Sequence, residues 1–555
     1  MASNLSEPTS NKPLPLNATQ TDSDQCDEDP NTVPIMSTMT DFLPRLPADI
    51  SSLIFFYTCQ PYPDPFLDLD SNPRWERQLH PLKLGQVSRS WRGFVWGSSE
   101  IWQTIIVKVR GPNERIISQV NLLKEWISRA KGRPLDIYLE ENECDSSSLT
   151  IDPVDLLLTL LVRHAHQWRT IKFHLSKKRY QFISLLGTKT NTRKDRMRRL
   201  GQSNASSRND ALHSEERVIP LDNLQTASLH GTGKNDDWRA NLPLDLSQAP
   251  LLRELTFSSI IMKSDMFLNL STKGITQLTL SFVLRIVPRE LLDQLPNLTE
   301  LTLSKCSVVR KLEFNAASRP IIHERLRVFN IEVESDFLFN LLVHQLCFPA
   351  LEKIYIIIPE VFQHTKFLLP FIRRSGCILT SLTTESMCNT EDCDLIEFLS
   401  ADVISPLKEL HILDYDTMGI VKKRKKIIRR NKVQGAFSGL NDAFFVYFHP
   451  YLFPDFLPRL EVLEYRGMLS VDDIDFLEPF MLRSRMRDLD SGNATDGDPR
   501  HDISILKRVR IQAEKAAGMS FSIAEYHDPQ YVWELIRMVE VGFITLLDSD
   551  GMVWE

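Results

Sequence analysis

A short motif of the form L-x-x-L-x-L recurs along most of the chain, and it constrains the fold more than any other feature of the sequence. The better copies begin at Leu252, Ile275, Leu298, Leu326, Leu351, Leu379 and Leu407, and weaker ones begin at Trp168, Leu224, Leu460 and Leu506. The step between the better copies is 23 to 28 residues. Within each copy the fourth and sixth residues point to the same side of a strand, and the intervening segments supply a helix or a turn. One such unit cannot bury its apolar side alone, so the repeat predicts a curved α/β solenoid of stacked parallel strands with an outer helical layer.

The end of the repeat region carries two irregularities. The steps after Leu407 and Leu460 approach twice the usual length, which predicts either a degenerate repeat or an insertion in each. The last segment, near 527–550, predicts a unit that caps the array. Its helix carries Val532, Leu535, Ile536 and Val539, Gly542 ends that helix, and residues 543–547 form a final strand.

The composition narrows the classes of partner. The chain has 555 residues, of which 42% are hydrophobic and 25% charged, and a net charge of -7. This balance argues against nucleic acid or a membrane as the main partner. We find no run of 18 apolar residues and no signal-peptide pattern at the N-terminus. The eight cysteines are scattered, mostly in apolar segments, which is typical of buried thiols in the cytoplasm or the nucleus.

The sequence before the repeats divides into a tail and a helical module. Residues 1–40 are too polar to offset the entropy of ordering, which predicts a disordered tail. Residues 41–108 predict an all-α module, with apolar residues at helical spacing on both sides of a proline-rich loop. A module this small cannot bury so many large apolar residues without a partner or a second domain. The solenoid is then expected over 109–555, with disordered insertions near 188–212 and 418–436.

Three segments of the helical module, LPADISSLIFF, LKLGQVSRSWRGFV and IW, together resemble the F-box. The positions that match the pattern of that family are Leu46, Pro47, Ile50, Leu53, Ile54, Leu84, Val87, Ser88, Trp91 and Trp102. The family commonly has Cys where this chain has Ser88. The segments up to about residue 175 resemble those that follow the F-box in fungal, basidiomycete-type F-box proteins. The repeat region resembles leucine-rich-repeat proteins more loosely.

The resemblance implies that the protein functions by binding other proteins. The ten matching residues would dock onto the adaptor protein of a cullin ubiquitin ligase, and the solenoid would recruit an unknown protein substrate. The chain would then be a substrate-receptor subunit of an SCF-type ligase, without enzymatic activity or cofactor of its own. One alternative is a leucine-rich-repeat scaffold that binds the adaptor or other proteins without a role in ubiquitination. Another is a hydrolase or transferase with an unrecognised site.

Other candidate sites carry weaker signals. The basic run Lys422, Lys423, Arg424, Lys425, Lys426, Arg429 and Arg430 predicts either a nuclear localisation signal or a solvated loop rather than a nucleic-acid site. Cys388 and Cys393 lack two further ligands at metal-binding spacing, so no metal site is predicted. His164 and His166 fall on different sides of a helix, which predicts a packed helix end.

Overall fold

The computed structural model describes seventeen segments of the chain. These are residues 45–59, 81–109, 113–141, 152–188, 219–232, 246, 249–259, 274–283, 288–306, 320–332, 344–357, 364–385, 392–413, 440–470, 477–489, 504–514 and 529–547. The predicted tail 1–40, the proline-rich loop, the basic run and the insertion near 418–436 lie outside these residues. So does the predicted insertion near 188–212, apart from Thr188.

The described strands are parallel, and fifteen of them form one sheet. In chain order the strands are β1 (Thr104–Val109), β2 (Leu135–Glu141), β3 (Trp168–Leu175), β4 (Thr226–Gly231), β5 (Glu254–Ser258), β6 (Gln277–Ser281), β7 (Glu300–Ser304), β8 (Ile321–Ile322), β9 (Val328–Glu332), β10 (Leu346–Cys347), β11 (Lys353–Ile357), β12 (Ser381–Glu385), β13 (Glu409–Leu413), β14 (Leu440–Asn441), β15 (Val462–Ser470), β16 (Arg508–Glu514) and β17 (Ile544–Leu547). Neighbours in the main sheet follow the order of the chain, while β8 and β10 form a separate pair and β14 joins only β15. This order defines an α/β solenoid in which each L-x-x-L-x-L copy supplies one strand.

The strands of the better copies bury alternate residues, as the repeat predicts. In β5, Leu255 and Phe257 are buried, and Thr256 between them is partly exposed on the outward face. The residue that leads each copy is also buried, as Leu252 is. At the start of each strand of the main sheet from β4 to β15, apart from β14, one carbonyl accepts two N–H groups from the next repeat. Arg253 O, for example, accepts from the N–H groups of Thr276 and Gln277 at 2.9 and 3.0 Å. This regular backbone bonding holds successive repeats in register.

The helices lie before the sheet and between its strands. They are α1 (Ala48–Cys59), α2 (Pro81–Val87), α3 (Arg89–Gly97), α4 (Asn113–Ala130), α5 (Pro153–Arg163), α6 (Lys177–Thr188), α7 (Pro288–Gln294), α8 (His364–Ser375), α9 (Asp392–Leu399), α10 (Asp442–Phe448), α11 (Glu478–Leu489) and α12 (Pro529–Glu540). Their ends follow local chemistry. Asp152 caps α5 by accepting a hydrogen bond from the N–H of Val154 at 3.0 Å. After α12 the chain turns through Gly542, whose φ of 72° favours glycine, and enters β17.

In the long steps after Leu407 and Leu460 the main sheet passes directly from one copy of the motif to the next. β13 pairs with β15, and β15 pairs with β16. The described part of the first step adds α10 and the two-residue strand β14, which pairs with β15 beyond the end of β13, and that of the second step adds α11. Among the described residues, neither step therefore adds a strand between two copies in the sheet, which favours an insertion over a degenerate repeat.

The boundary between the N-terminal helices and the sheet lies earlier than predicted. β1 begins at Thr104, inside the range 41–108 assigned to the helical module, and pairs with β2 along its whole length. The reason is local, because the segment after Trp102, TIIVKV, is rich in β-branched residues, which favour a strand. The helices therefore continue directly into the first strand of the solenoid.

Candidate docking site on the N-terminal helices

Helix α1 has two apolar faces, and only one of them is buried. Ser51, Phe55 and Cys59 recur every fourth residue and pack into the core. The other face carries the apolar stripe, which comprises Ile50, Leu53, Ile54 and Tyr57, exposed at 41%, 50%, 42% and 68%. Large apolar side chains at this spacing normally face a core. Their exposure along one helix face makes the apolar stripe a candidate protein contact.

Aromatic contacts with α3 decide which face of α1 is buried. The ring of Phe55 lies 4.7 Å from that of Trp91 and 5.4 Å from that of Phe94, measured between centroids. Burial raises the pKa of the neighbouring Cys59 thiol to about 12. Cys59 therefore stays protonated and acts as a core residue.

The turn between α2 and α3 places one more apolar side chain at the surface. Ser88 caps α3, because its Oγ accepts a hydrogen bond from the N–H of Trp91 at 3.1 Å. Val87, just before this cap, is 62% exposed. Arg92 Nε donates to the carbonyl of Gly85 at 2.8 Å, which ties α3 back to α2. The cap and this bond fix where the Val87 side chain is presented.

The structure divides the ten residues that match the F-box pattern into three groups. Those on the surface are Pro47, Ile50, Leu53, Ile54 and Val87, those partly exposed are Leu46, Ser88 and Trp91, and those in the core are Leu84 and Trp102. The prediction that Leu84 and Trp102 belong to a docking surface is corrected, since each is at most 2% exposed. They are buried because this chain itself supplies their packing partners.

Trp102 joins the N-terminal helices to the solenoid. Its ring contacts that of Trp126 in α4 at 4.8 Å and that of Trp96 at 5.4 Å, and its Nε1 donates to Val95 O at 2.8 Å. The guanidinium of Arg129 lies 4.7 Å from the rings of both Trp96 and Trp102. α4 packs against β1, so the helices that carry the apolar stripe share one core with the first repeat.

Exposed basic side chains outnumber acidic ones on the N-terminal helices. Among the described residues from Arg45 to Gly97, Arg45, Lys83, Arg89 and Arg92 are exposed, and the acidic side chain is that of Asp49. Exposed apolar residues on a module with excess positive charge suit a partner that combines an apolar groove with acidic side chains.

A buried ion cluster stabilises the second repeat, and sequence patterns gave no signal for it. Arg179 at the start of α6 is paired with Glu141 at 2.7 Å, Asp152 at 2.5 Å and Asp155 at 2.7 Å. Burial alone lowers the pKa of Arg179, but the hydrogen bonds with Glu141 and Asp152 outweigh it and raise the pKa. The three acceptors come from β2 and the start of α5, so the cluster has a structural role.

The described cysteines and histidines show no reactive arrangement. Cys59, Cys306, Cys347 and Cys377 are buried free thiols, as the sequence predicts for them, and burial raises the pKa of Cys306 to about 12. His164 and His166 both contact Gln167 at the end of α5, and burial is the main cause that lowers the pKa of His164. Within the described segments no three His, Cys, Asp or Glu side chains are placed to hold a metal ion, and no helix is both long and apolar enough to cross a membrane.

Comparisons with known proteins add little to this description. No protein-family model matches the chain, and no curated protein matches it. A solved structure that resembles it is the leucine-rich repeat-containing protein LegL7 from Legionella pneumophila. The two share 12% sequence identity over 60% of this chain and 86% of that chain, with a TM-score of 0.28. The pairing of the chain's own strands makes it a leucine-rich-repeat-like α/β solenoid with helices packed on its first repeat.

Proposed function

We propose that the chain is an F-box substrate receptor, which docks onto the adaptor of an SCF-type cullin ubiquitin ligase and recruits a protein substrate through its solenoid. The observation that carries this proposal is the exposed apolar stripe of α1. A helix that packs one apolar face and leaves a second one in water is poised to bury the second face against a partner. The match of this segment to the F-box pattern supports an adaptor as that partner.

The arrangement also supports a role for the chain in positioning rather than in chemistry. The apolar stripe sits on helices that share a core with β1, so a partner on the stripe would be held in a fixed relation to the sheet. Such a subunit raises the effective concentration of a substrate lysine near a ubiquitin carrier. We therefore propose a receptor without catalytic residues or cofactor, and the bond-forming step belongs to other subunits.

Binding to the purified cullin adaptor tests this proposal with one matched pair of variants. Leu53→Asp places a charge in the apolar stripe, and Leu122→Asp places the same charge at another exposed leucine, 40% exposed on α4. We expect Leu53→Asp to abolish binding and Leu122→Asp to leave it unchanged, with both proteins folded by circular dichroism. Equal binding by both variants, or none by the folded wild type, would falsify adaptor docking through α1.

The scaffold alternative predicts the same adaptor binding, so it needs a different measurement. A receptor limits the abundance of its substrate, whereas a scaffold does not. Replacing the chromosomal copy with the Leu53→Asp variant should therefore lengthen the half-life of at least one protein bound by the solenoid. Unchanged half-lives of all such proteins, despite lost adaptor binding, would favour the scaffold.

A further inference from the structure

Three neighbouring strands near the C-terminal end of the sheet carry an excess of positive charge on their outward face. These strands are β13, β15 and β16, and the residue before each strand belongs to the same surface. We define the basic end as the five cationic side chains Lys408, Arg466, Lys507, Arg508 and Arg510. Among the described side chains, three carboxylates on these strands, those of Glu409, Glu461 and Glu464, accompany them, and Glu385 on neighbouring β12 interacts with Arg466. Five positive charges therefore face four negative ones, without counting His411.

Two of these carboxylates are each shared between two basic side chains. Glu461 lies 3.5 Å from Lys408 Nζ and 2.5 Å from Lys507 Nζ. Glu464 lies 3.1 Å from His411 Nδ1 and 3.4 Å from Arg510 Nη1. A carboxylate that is already shared cannot neutralise both neighbours, and Lys507 and Arg510 keep 67% and 48% of their side-chain surface exposed.

The neighbouring basic side chains stabilise the ionised form of these carboxylates. The hydrogen bond from Lys507 is the main cause that holds the pKa of Glu461 below its usual range. For Glu464 the main cause is the hydrogen bond with His411, and the charges of Arg510 and Arg508 lower the pKa further. A partner carboxylate beside Lys507, Arg508 or Arg510 would be attracted by the same cations, most strongly where it lies away from Glu461 and Glu464.

The middle of the sheet differs from the basic end. On β5, β6 and β7 two of the three outward rows in register are uncharged, with Thr256, Thr279 and Thr302 followed by Ser258, Ser281 and Ser304. The remaining row, Glu254, Gln277 and Glu300, contains two carboxylates, and Arg253 lies beside it. These strands therefore carry no excess of positive charge, and the attraction of an acidic partner is strongest at the basic end.

We propose that the basic end binds an acidic segment, rich in Asp and Glu, of the protein that the solenoid recruits. This inference rests on the proposed function for the role of the bound protein, and on the charge pattern for its chemistry. Arg508 and Arg510 lie two residues apart on β16 and are both exposed. Each guanidinium group can donate two parallel hydrogen bonds to one carboxylate, which a lysine cannot reproduce.

Nucleic acid fits this surface less well. Glu409, Glu461 and Glu464 would repel a phosphate backbone, which carries charge at every nucleotide. Tyr465, the aromatic residue of β15, points inward and is fully buried, so it offers no ring for a base to stack on. An acidic peptide can place its carboxylates beside the arginines and keep neutral residues over the glutamates.

The test measures binding of a labelled synthetic peptide of Glu, Asp and Gly to the full chain by fluorescence anisotropy. An isosteric peptide of Gln, Asn and Gly and a single-stranded oligonucleotide are the comparison probes. The variant is Arg508→Glu with Arg510→Glu. The control is Arg253→Glu with Arg327→Glu, which makes the same charge change at exposed residues before β5 and β9.

We expect the acidic peptide to bind the wild type, to lose affinity as salt is added, and to lose about tenfold or more in the β16 variant. The control variant should bind within about twofold of the wild type. Equal binding of the neutral peptide, tighter binding of the oligonucleotide, or equal losses in the two variants would overturn the proposal.

Adaptor binding separates this inference from the proposed function. The β16 variant should bind the cullin adaptor as the wild type does, and Leu53→Asp should keep its affinity for the acidic peptide. If the wild type binds the acidic peptide but not the adaptor, the inference about the basic end stands and the proposed ligase role is wrong. If the wild type binds the adaptor but not the acidic peptide, the proposed ligase role stands and the inference about the basic end is wrong.

Discussion

The indole rings of Trp102 and Trp126 pack edge to face, with centroids 4.8 Å apart. Trp102 ends the N-terminal helices, and Trp126 belongs to α4, which packs against the first strand of the sheet. Aromatic pairs of this geometry stabilise beyond the area that they bury. This contact is the centre of the core that holds the candidate docking helices on the solenoid.

Removing Trp102 should therefore destabilise the protein. We expect Trp102→Ala to lower the free energy of unfolding by about 3–5 kcal/mol, because it leaves a large cavity and frees the Val95 carbonyl. Urea unfolding followed by circular dichroism measures the change. Trp533→Ala is the control, since Trp533 is 72% exposed on α12 and its loss should cost less than about 0.5 kcal/mol. Similar losses in the two variants would contradict the role of Trp102 in the core.

The two apolar faces of α1 should respond differently to substitution. Phe55→Ala removes the ring that packs against Trp91 and Phe94 and should cost about 3–5 kcal/mol of unfolding free energy. Leu53→Ala removes an exposed side chain and should change that free energy by about 0.5 kcal/mol or less. Chemical denaturation of both variants compares them directly. A large cost for Leu53→Ala would mean that the chain itself covers the apolar stripe.

Alanine substitutions at two glycines of the N-terminal helices should have opposite effects on stability. A Cβ at Gly85 would lie 2.2 Å from Trp96 Cζ3, so Gly85→Ala forces that ring to move and should destabilise by about 1–3 kcal/mol. A Cβ at Gly93 meets no atom within 4 Å, and Gly93→Ala should stabilise α3 by about 0.5–1 kcal/mol. The midpoint of thermal unfolding should fall for the first variant and rise for the second. The same direction in both would show that α2 does not pack against Trp96 as described.

Two glutamates on the outward face of the sheet should give opposite pH dependence. The pKa of Glu464 is lowered, chiefly by the hydrogen bond with His411, so its stabilisation is present above the unfolded-state pKa and is lost as pH falls through the lower, folded-state pKa. Burial raises the pKa of Glu385, so its ionisation lowers stability as pH rises from the unfolded-state value to the folded-state value. Relative to wild type, Glu464→Gln should therefore lose less unfolding free energy as the pH falls from 6 into the acidic range. Glu385→Gln should have a higher unfolding free energy than wild type at neutral pH.

Urea unfolding across a pH series measures both effects. The comparison of the two variants controls for the loss of a charge as such, since each exchanges one carboxylate for an amide. Curves that shift in the same direction would contradict the assigned environments of Glu385 and Glu464.

The strands were predictable because their signal is local. In the copy LTELTL, the alternating buried residues Leu301 and Leu303 predict the strand β7. Leu298, the first residue of the copy, is buried as well. The regular step then specifies that neighbours in sequence are neighbours in the sheet. The steps after Leu407 and Leu460 were ambiguous because spacing alone does not separate an insertion from a degenerate repeat.

The candidate site was only partly predictable, for a different reason. The sequence identifies α1 as apolar, but Phe55 and Leu53 are equally suited to a core. The choice depends on Trp91 and Phe94, which lie more than thirty residues later and reach only one face. Trp102 was assigned to the surface because its partner Trp126 belongs to an element outside the matching pattern.

Arg483 shows the same limit in the solenoid. The local sequence FMLRSRMRDL predicts that Arg483 is a solvent-exposed cation on a helix, yet its side chain is fully buried. Its guanidinium donates to the carbonyls of Phe448, Leu457 and Phe456 at 3.1, 2.8 and 2.7 Å and lies 3.9 Å from the Phe448 ring. Carbonyls at the end of α10 and in the turn after it create this site, and no local pattern around Arg483 encodes them.

Amide hydrogen exchange of the full chain, with and without the purified cullin adaptor, tests the central claim most directly. If the apolar stripe is the docking surface, the adaptor should slow exchange in α1 and in the residues around Val87, and leave β5 to β16 unchanged. Unchanged exchange in α1 while a complex forms, or protection confined to the sheet, would contradict it.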